Sequence, residues 1–314
     1  MPLFVGESAL QAGNAMQNML PPELMNSSLK FSTNAGEVVA VFAETGETVG
    51  SVAAAAQAAE RITQIAGNVT RAKDLLDELK DLLQPDPDKL TEFQKSIEPY
   101  LRQDKLVDVD SLRSIEGVEQ VQKFKDYTNN FHPDELAKLK PEEILYLNLC
   151  DWLAPKAEII NEALKKKGGI TIIDPKTKKI LAHYEKYDLF HSLLGEMKPK
   201  FMNNVVKGGH LPILELKGAL FEISEIKPLG NGFFDMTIKR GSNRKKNSFF
   251  PLGTSIEESV AIIEDAIINC EKIEIVVLKD KALQGFHVVN KRNQQFMLVL
   301  NKNELQFYPS NIQL

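Results

Sequence analysis

Five residues, Lys165-Lys166-Lys167-Gly168-Gly169, divide the chain into two textures, and that change restricts the folds open to it. Before them, apolar residues recur at three- and four-residue steps. After them come short runs rich in Ile, Val, Phe and Tyr, separated by turn residues. A basic helix end followed by glycine is a C-cap signal, because glycine takes the left-handed conformation that closes a helix. Helices first and many short strands afterwards predict an α+β chain. The expected layout is a mostly helical region over 1–167 and, over 168–314, a domain with a mostly antiparallel sheet and two helices.

The helical half is the more regular of the two. Val52, Ala55, Ala59, Ile62, Ala66, Val69, Leu76, Leu79 and Leu83 predict a helix over 51–83, with charged residues on its other face. At 1.5 Å per residue it would run about 50 Å, and Pro85 and Pro87 end it. Shorter helical patterns follow at 89–101, 110–127, 133–139 and 141–166. Pro133 and Pro141 occupy first-turn positions, each followed by acidic residues. Residues 1–50 carry scattered Gly, Asn, Ser and Pro and read as loosely ordered.

Past the glycines, strands are predicted at 170–173, 180–184, 213–227, 233–239, 273–278, 284–290, 295–300 and 304–308. A short helix is predicted around 187–196 and a longer one over 256–269. Ser255 and Glu258 form a capping box for the latter.

Composition narrows the classes further. With 314 residues the chain has room for about two domains. A net charge of −5 is the wrong sign for a protein that coats nucleic acid, but it leaves open an enzyme that meets RNA at one basic patch. Two cysteines, Cys150 and Cys270, do not make a disulfide scaffold. Residues 1–6 have neither a basic n-region nor an apolar h-region, so no secretory signal peptide is expected. Val49–Ala59 is too short to span a bilayer, and no membrane span is expected. Export would need a route other than the general secretory signal.

The chemistry lies in four blocks of the last third. They are Phe190-His191-Ser192-Leu193-Leu194-Gly195, Gly208-Gly209-His210, Lys245-Lys246-Asn247-Ser248-Phe249-Phe250-Pro251 and Gln306-Phe307-Tyr308-Pro309. Two imidazoles and a cation suffice to cleave RNA without a metal. One imidazole takes the 2′-hydroxyl proton and the other protonates the leaving 5′-oxygen. A lysine neutralises charge that builds on phosphorus.

Each element also has a bland reading. A lone His191 would more often be a packed, hydrogen-bonded side chain. Gly208-Gly209 suits a plain turn as well as close approach of backbone to a ligand. Lys245 and Lys246 belong to a basic patch with Lys239, Arg240 and Arg244 that could be a solvated hairpin turn. Tyr308 could be packing or a platform for a base. His132, His183 and His287 read as structural or surface residues. No cysteine pair or histidine spacing suits a metal, and no phosphate-binding glycine loop is present, so neither metal nor cofactor is expected.

Taken in order, the four blocks, with Thr254-Ser255 after the third, resemble the bacterial EndoU endoribonucleases found as carboxy-terminal domains of polymorphic toxins. The resemblance covers about residues 185–312. It implies metal-independent transesterification giving a 2′,3′-cyclic phosphate and a 5′-hydroxyl. His210 would be the base, His191 the acid, and Lys245 or Lys246 the transition-state cation, with the choice between the two lysines open. Gly209, Ser248 and Gln306 would contact substrate, Ser248 also supporting the lysine, and Tyr308 would orient ribose or base. Gln306 stands where the family favours a threonine.

The resemblance also implies a secreted effector whose amino-terminal region engages delivery machinery. Its RNA substrate would be met in a target cell's cytoplasm, and an acidic immunity protein would cap the site. A different class remains beside it: a non-enzymatic interaction or virion-associated protein built on a degenerate nuclease fold. Gln306 favours that class, and the two histidines in order argue against it.

Overall fold

The computed structural model describes residues 29–34, 37–42, 67, 69–107, 139–195, 208–240, 242–277, 283–301 and 303–310. The chain divides into two compact units, residues 1–70 and 71–314. In the first, β1 (Leu29–Asn34) pairs antiparallel with β2 (Glu37–Phe42), Leu29 opposite Phe42 and Asn34 opposite Glu37. These two strands lie within the stretch 1–50 that reads as loosely ordered, and the rest of that stretch lies outside the described residues. Of the long helix expected over 51–83, the part over 69–83 is described, as α1. The helices expected over 110–127 and 133–139 lie outside the described residues, Leu139 apart.

The second unit begins with helices. α2 (Pro87–Ile97) starts at Asp86, whose carboxylate accepts the N–H groups of Asp88 and Lys89. A 3₁₀ turn, Glu98–Tyr100, follows it. α3 (Pro141–Lys166) opens with Pro141 and two glutamates, as its sequence predicts. Gly168 and Gly169 close it by donating to the carbonyls of Lys165 and Leu164.

The texture change at Lys167–Gly168 thus marks a helix end. It does not mark the edge of a unit, because α3 packs on the elements that follow it. One core runs from Leu75 and Leu79 through Leu145, Leu149 and Trp152 to Phe286, Phe296 and Phe307. At roughly 1.5–3 kcal/mol per fully buried large apolar side chain, that shared core binds helices and sheets into one body.

Then come β3 (Ile170–Ile173), β4 (Ile180–Tyr184), β5 (Lys186–Tyr187) and a π-type turn, Phe190–Leu194. α4 (Leu214–Leu220), β6 (Glu222–Gly230), β7 (Phe233–Arg240) and β8 (Asn243–Phe249) follow. α5 (Ile256–Ile268), β9 (Cys270–Val277), β10 (Leu283–Asn290), β11 (Gln295–Asn301) and β12 (Glu304–Pro309) complete the unit. Ser255 and Glu258 form the expected capping box, each side chain bonded to the other's N–H at 3.0 Å.

Three sheets result: β3-β4, β6-β7-β8, and β5-β12-β11-β10-β9. All pairs are antiparallel except β5 with β12. The fold is α+β, and the two larger sheets meet where β8 contacts β12. No helix among the described residues is long and apolar enough to cross a membrane.

Two elements differ from expectation. The strand expected from 213 begins as α4. Leu214-Glu215-Leu216-Lys217 alternates like a strand, but Leu214, Leu216, Lys217, Gly218 and Leu220 are all buried, so no polar face reveals the helical period. The basic run 243–249 is a strand rather than a turn. Its polar residues have weak β preference, and pairing along β7, from Arg240↔Asn243 to Phe234↔Phe249, overrides it.

Candidate active site

The site is assembled where the two larger sheets meet. Three successive backbone bonds tie its two histidine segments side by side. Gly209 N–H donates to His191 C=O at 2.8 Å, His210 N–H to Ser192 C=O at 2.8 Å, and Leu211 N–H to Leu193 C=O at 3.1 Å. Phe250 N–H then donates to His210 C=O at 3.1 Å, which attaches the end of β8 to the same ladder.

The glycine pair makes this closeness possible. Gly208 and Gly209 have φ of 74° and 77°, a conformation costly for side-chain-bearing residues. A Cβ at 208 would run into the His191 carbonyl oxygen, and one at 209 would lie 2.5 Å from that of Leu194. Gly208→Ala is expected to cost at least about 2 kcal/mol, from the left-handed backbone and the clash together. Urea denaturation measures it; a cost below about 0.5 kcal/mol would show that the segment simply moves away.

His191 lies on the π-type turn and is half-buried. Its N–H donates to Asp188 Oδ1 at 3.1 Å, and Asp188 Oδ2 accepts from Gln306 Nε2 at 2.9 Å. Ser192 Oγ accepts from Phe307 N–H at 3.0 Å. The turn is therefore pinned to β12 on both sides of His191. Gln306 is 7% exposed. Its amide holds the turn that carries His191, a role the sequence did not assign it.

His210 is 5% exposed. Its Nδ1 lies 2.7 Å from the Ser248 carbonyl oxygen. A carbonyl only accepts, so Nδ1 carries the proton and Nε2 keeps its lone pair. The ring stacks on Tyr308, with centroids 4.6 Å apart and planes 15° apart. Burial pushes the imidazole down to about 3, and the charges of Lys217, Lys245 and His191 push the same way against the Ser248 bond. His210 is neutral near pH 7. Burial raises the Tyr308 hydroxyl above its ordinary value.

The structure separates the two lysines. Along β8, Lys245, Asn247 and Phe249 share one face, and Asn247 Nδ2 reaches the Gly208 carbonyl at 3.4 Å. Lys245 is half-buried on that face, and its charge acts on His210. Lys246 is on the opposite face with Ser248. It is 46% exposed and pairs with Asp235 Oδ2 at 2.7 Å. Asp235 is 1% exposed and also accepts from Ser248 Oγ at 2.6 Å. Ser248 thus places its carbonyl, not its hydroxyl, at His210.

His191, His210, Lys245 and Tyr308 come together; Lys246 does not join them. Asp188, Asp235 and Lys217 escaped the sequence reading. Asp188 had a readable signal, an Asx residue three positions before His191 in the manner of an N-cap. The other two needed tertiary contacts.

His183 is exposed, its Nδ1 3.0 Å from Thr171 Oγ1. His287 is buried in β10 between Glu274 and Met297 of its neighbours. His132 lies outside the described residues. Among the described residues, no group of three or more His, Cys, Asp and Glu side chains could hold a metal ion.

Burial also lowers His287. Both His210 and His287 are depressed when folded, so the unfolded chain takes up more protons below the ordinary value of 6.5. Their stabilisation is complete above that value and is lost as pH falls. His210 alone should remove about 2 kcal/mol between pH 7 and pH 5, with His287 adding in the same sense. Urea unfolding at both pH values checks this. An equal pH dependence in His210→Asn would contradict it.

No protein-family model matches this chain, and no curated protein does. Among solved structures, that of XendoU, titled a splicing independent snoRNA processing endoribonuclease, is similar over 73% of this chain and 98% of its own. The sequence identity is 13% and the TM-score 0.25, and a likeness that loose decides neither fold nor site.

Proposed function

We propose that the chain is a metal-independent endoribonuclease. The observation that carries this reading is the side-by-side docking of the His191 and His210 segments, with Lys245 on the adjoining strand face. His210 Nε2 takes the proton of a ribose 2′-hydroxyl. The freed oxygen attacks phosphorus, the bond from phosphorus to the 5′-oxygen breaks, and His191 gives that oxygen a proton. Lys245 neutralises the charge on the non-bridging oxygens. Tyr308, stacked on His210, fixes the imidazole plane and offers an edge against which ribose or base can rest. The products are a 2′,3′-cyclic phosphate and a 5′-hydroxyl.

The ordered blocks that resemble the EndoU ribonucleases support the same reaction. The wider role rests on that resemblance alone. In it the chain is an effector toxin, delivered with the help of its amino-terminal region. On that resemblance it acts in a target cell's cytoplasm, and an acidic immunity protein holds it in check.

The test is incubation of the full chain with RNA in EDTA, followed by mapping of the ends. Cyclic-phosphate and 5′-hydroxyl ends are expected. An otherwise identical substrate with a 2′-deoxy target nucleotide should resist cleavage, because it lacks the nucleophile. Cleavage of the deoxy substrate, or a strict need for a divalent ion, would overturn the mechanism.

A further inference from the structure

Lys217 has no place in the reaction as written, yet among the described residues it is an unusual charge. It is 1% exposed on α4, among Leu214, Leu216 and Leu220. Lysine is almost never fully buried without a partner. Among the described residues no carboxylate pairs with its ammonium, and the ammonium makes no hydrogen bond. Its Nζ lies 5.6 Å from the centre of the Phe249 ring.

Gly209 is also close to it: an added Cβ there would lie 2.7 Å from Nζ. The missing side chain at 209 therefore does more than permit a turn: it leaves room for an ammonium directly behind the segment that carries His210.

We propose that Lys217 is a positioning residue for the anion of this site, a buried second cation that acts through Gly209 to hold a phosphodiester against His210 beside Lys245. The inference rests on the nuclease reading only in taking the anion to be a phosphodiester.

The surrounding charges favour that assignment. His191 faces this region from the π-type turn, His210 from the ladder, Lys245 from β8 and Tyr308 from β12; α4 itself adds Glu215, whose carboxyl burial raises. The charges that act on His210 are those of Lys217, Lys245 and His191, each cationic or an imidazole, and together they favour an anion there. Burial, with Lys245 second, brings the Lys217 ammonium down to about 7, so near neutrality it is only partly charged. An arriving anion favours the charged form, and binding draws in a proton. The protonated lysine holds the anion, so affinity falls as pH rises above neutrality.

A short oligodeoxythymidylate suits the test. It supplies phosphodiesters that do not titrate near neutrality and cannot be cleaved by 2′-hydroxyl attack. Calorimetric titration of the full chain, in two buffers of different ionisation enthalpy, gives affinity and proton uptake together. Wild type should bind about tenfold more weakly at pH 9 than at pH 6, the effect of a one-unit rise in the bound state. Lys217→Met should bind about tenfold more weakly at pH 6, with the lysine-linked part of the profile and of the proton uptake gone. Lys217→Arg should stay tight at both pH values. Unchanged affinity and pH profile in Lys217→Met would overturn the proposal.

If Lys217→Met does not fold, the wild-type lysine ammonium can be followed by NMR with and without the oligonucleotide. No upward shift of its titration would be equally fatal. The two readings part cleanly. RNA cleavage unaffected by Lys217→Met sinks the lysine and spares the nuclease. Lysine-linked oligonucleotide binding without any RNA cleavage does the reverse.

Discussion

His210→Ala is expected to slow RNA cleavage about 10²–10⁴-fold, the usual contribution of one acid–base group. The size follows from how fully the ring is committed. Its Nδ1–H is held by the Ser248 carbonyl, its face by Tyr308, and its neutral form by burial, so one lone pair at Nε2 remains for chemistry. His191→Ala should fall in the same range. The double variant should lose less than the sum, because acid and base serve one proton traffic. Single-turnover rates on a defined oligoribonucleotide would show it. Losses of only two- or threefold in either variant would mean that the two rings are packing. Fully multiplicative losses would mean that they act in separate steps.

The second large effect distinguishes adjacent lysines. Lys245→Ala should reduce the rate about 10²–10³-fold, as loss of one preorganised electrostatic stabiliser does. Lys246→Ala should leave the rate within about tenfold and lower stability by roughly 1–2 kcal/mol, since the buried Asp235 loses a charge-assisted partner. The reasoning is strand parity. Successive residues of β8 point to opposite faces, and Asn247 and Phe249 mark the face turned toward His210. Rates and urea midpoints measured on the same two proteins decide the matter. A large rate loss for Lys246→Ala with an intact fold would put the reacting phosphate on the other side of the sheet.

Much of the fold was legible because local chemistry and tertiary outcome agree. Pro141 with its following glutamates opened α3, Ser255 and Glu258 opened α5, and the turns between β10, β11 and β12 separated short runs rich in apolar residues. α4 was not legible because a helix buried on every side has no polar face to set its period. β8 was hidden by its charges.

The choice between Lys245 and Lys246 was unreadable for a different reason. Phe249 and Phe250 are both buried, so the sequence offers two parities and no way to choose. Asp188, Asp235 and Lys217 act on partners across 118, 13 and 32 positions, respectively on Gln306, Ser248 and Phe249. Such distances carry no local pattern.

β12 supplies Leu305 C=O to Asp188 N–H, Gln306 to the Asp188 carboxylate, Phe307 N–H to Ser192, and the Tyr308 ring to His210. Viewed along the order of synthesis, each of these four partners is made about a hundred residues after the group it secures. A product ending before Glu304 would keep both histidines, Lys245 and the ladder between the two segments, but would lose the Gln306 bond to Asp188, the Phe307 bond to Ser192 and the Tyr308 face against His210. Closing loops of that span is slow relative to helix formation. β12 therefore adds its four contacts late in folding, after the more local ladder that joins the two histidine segments.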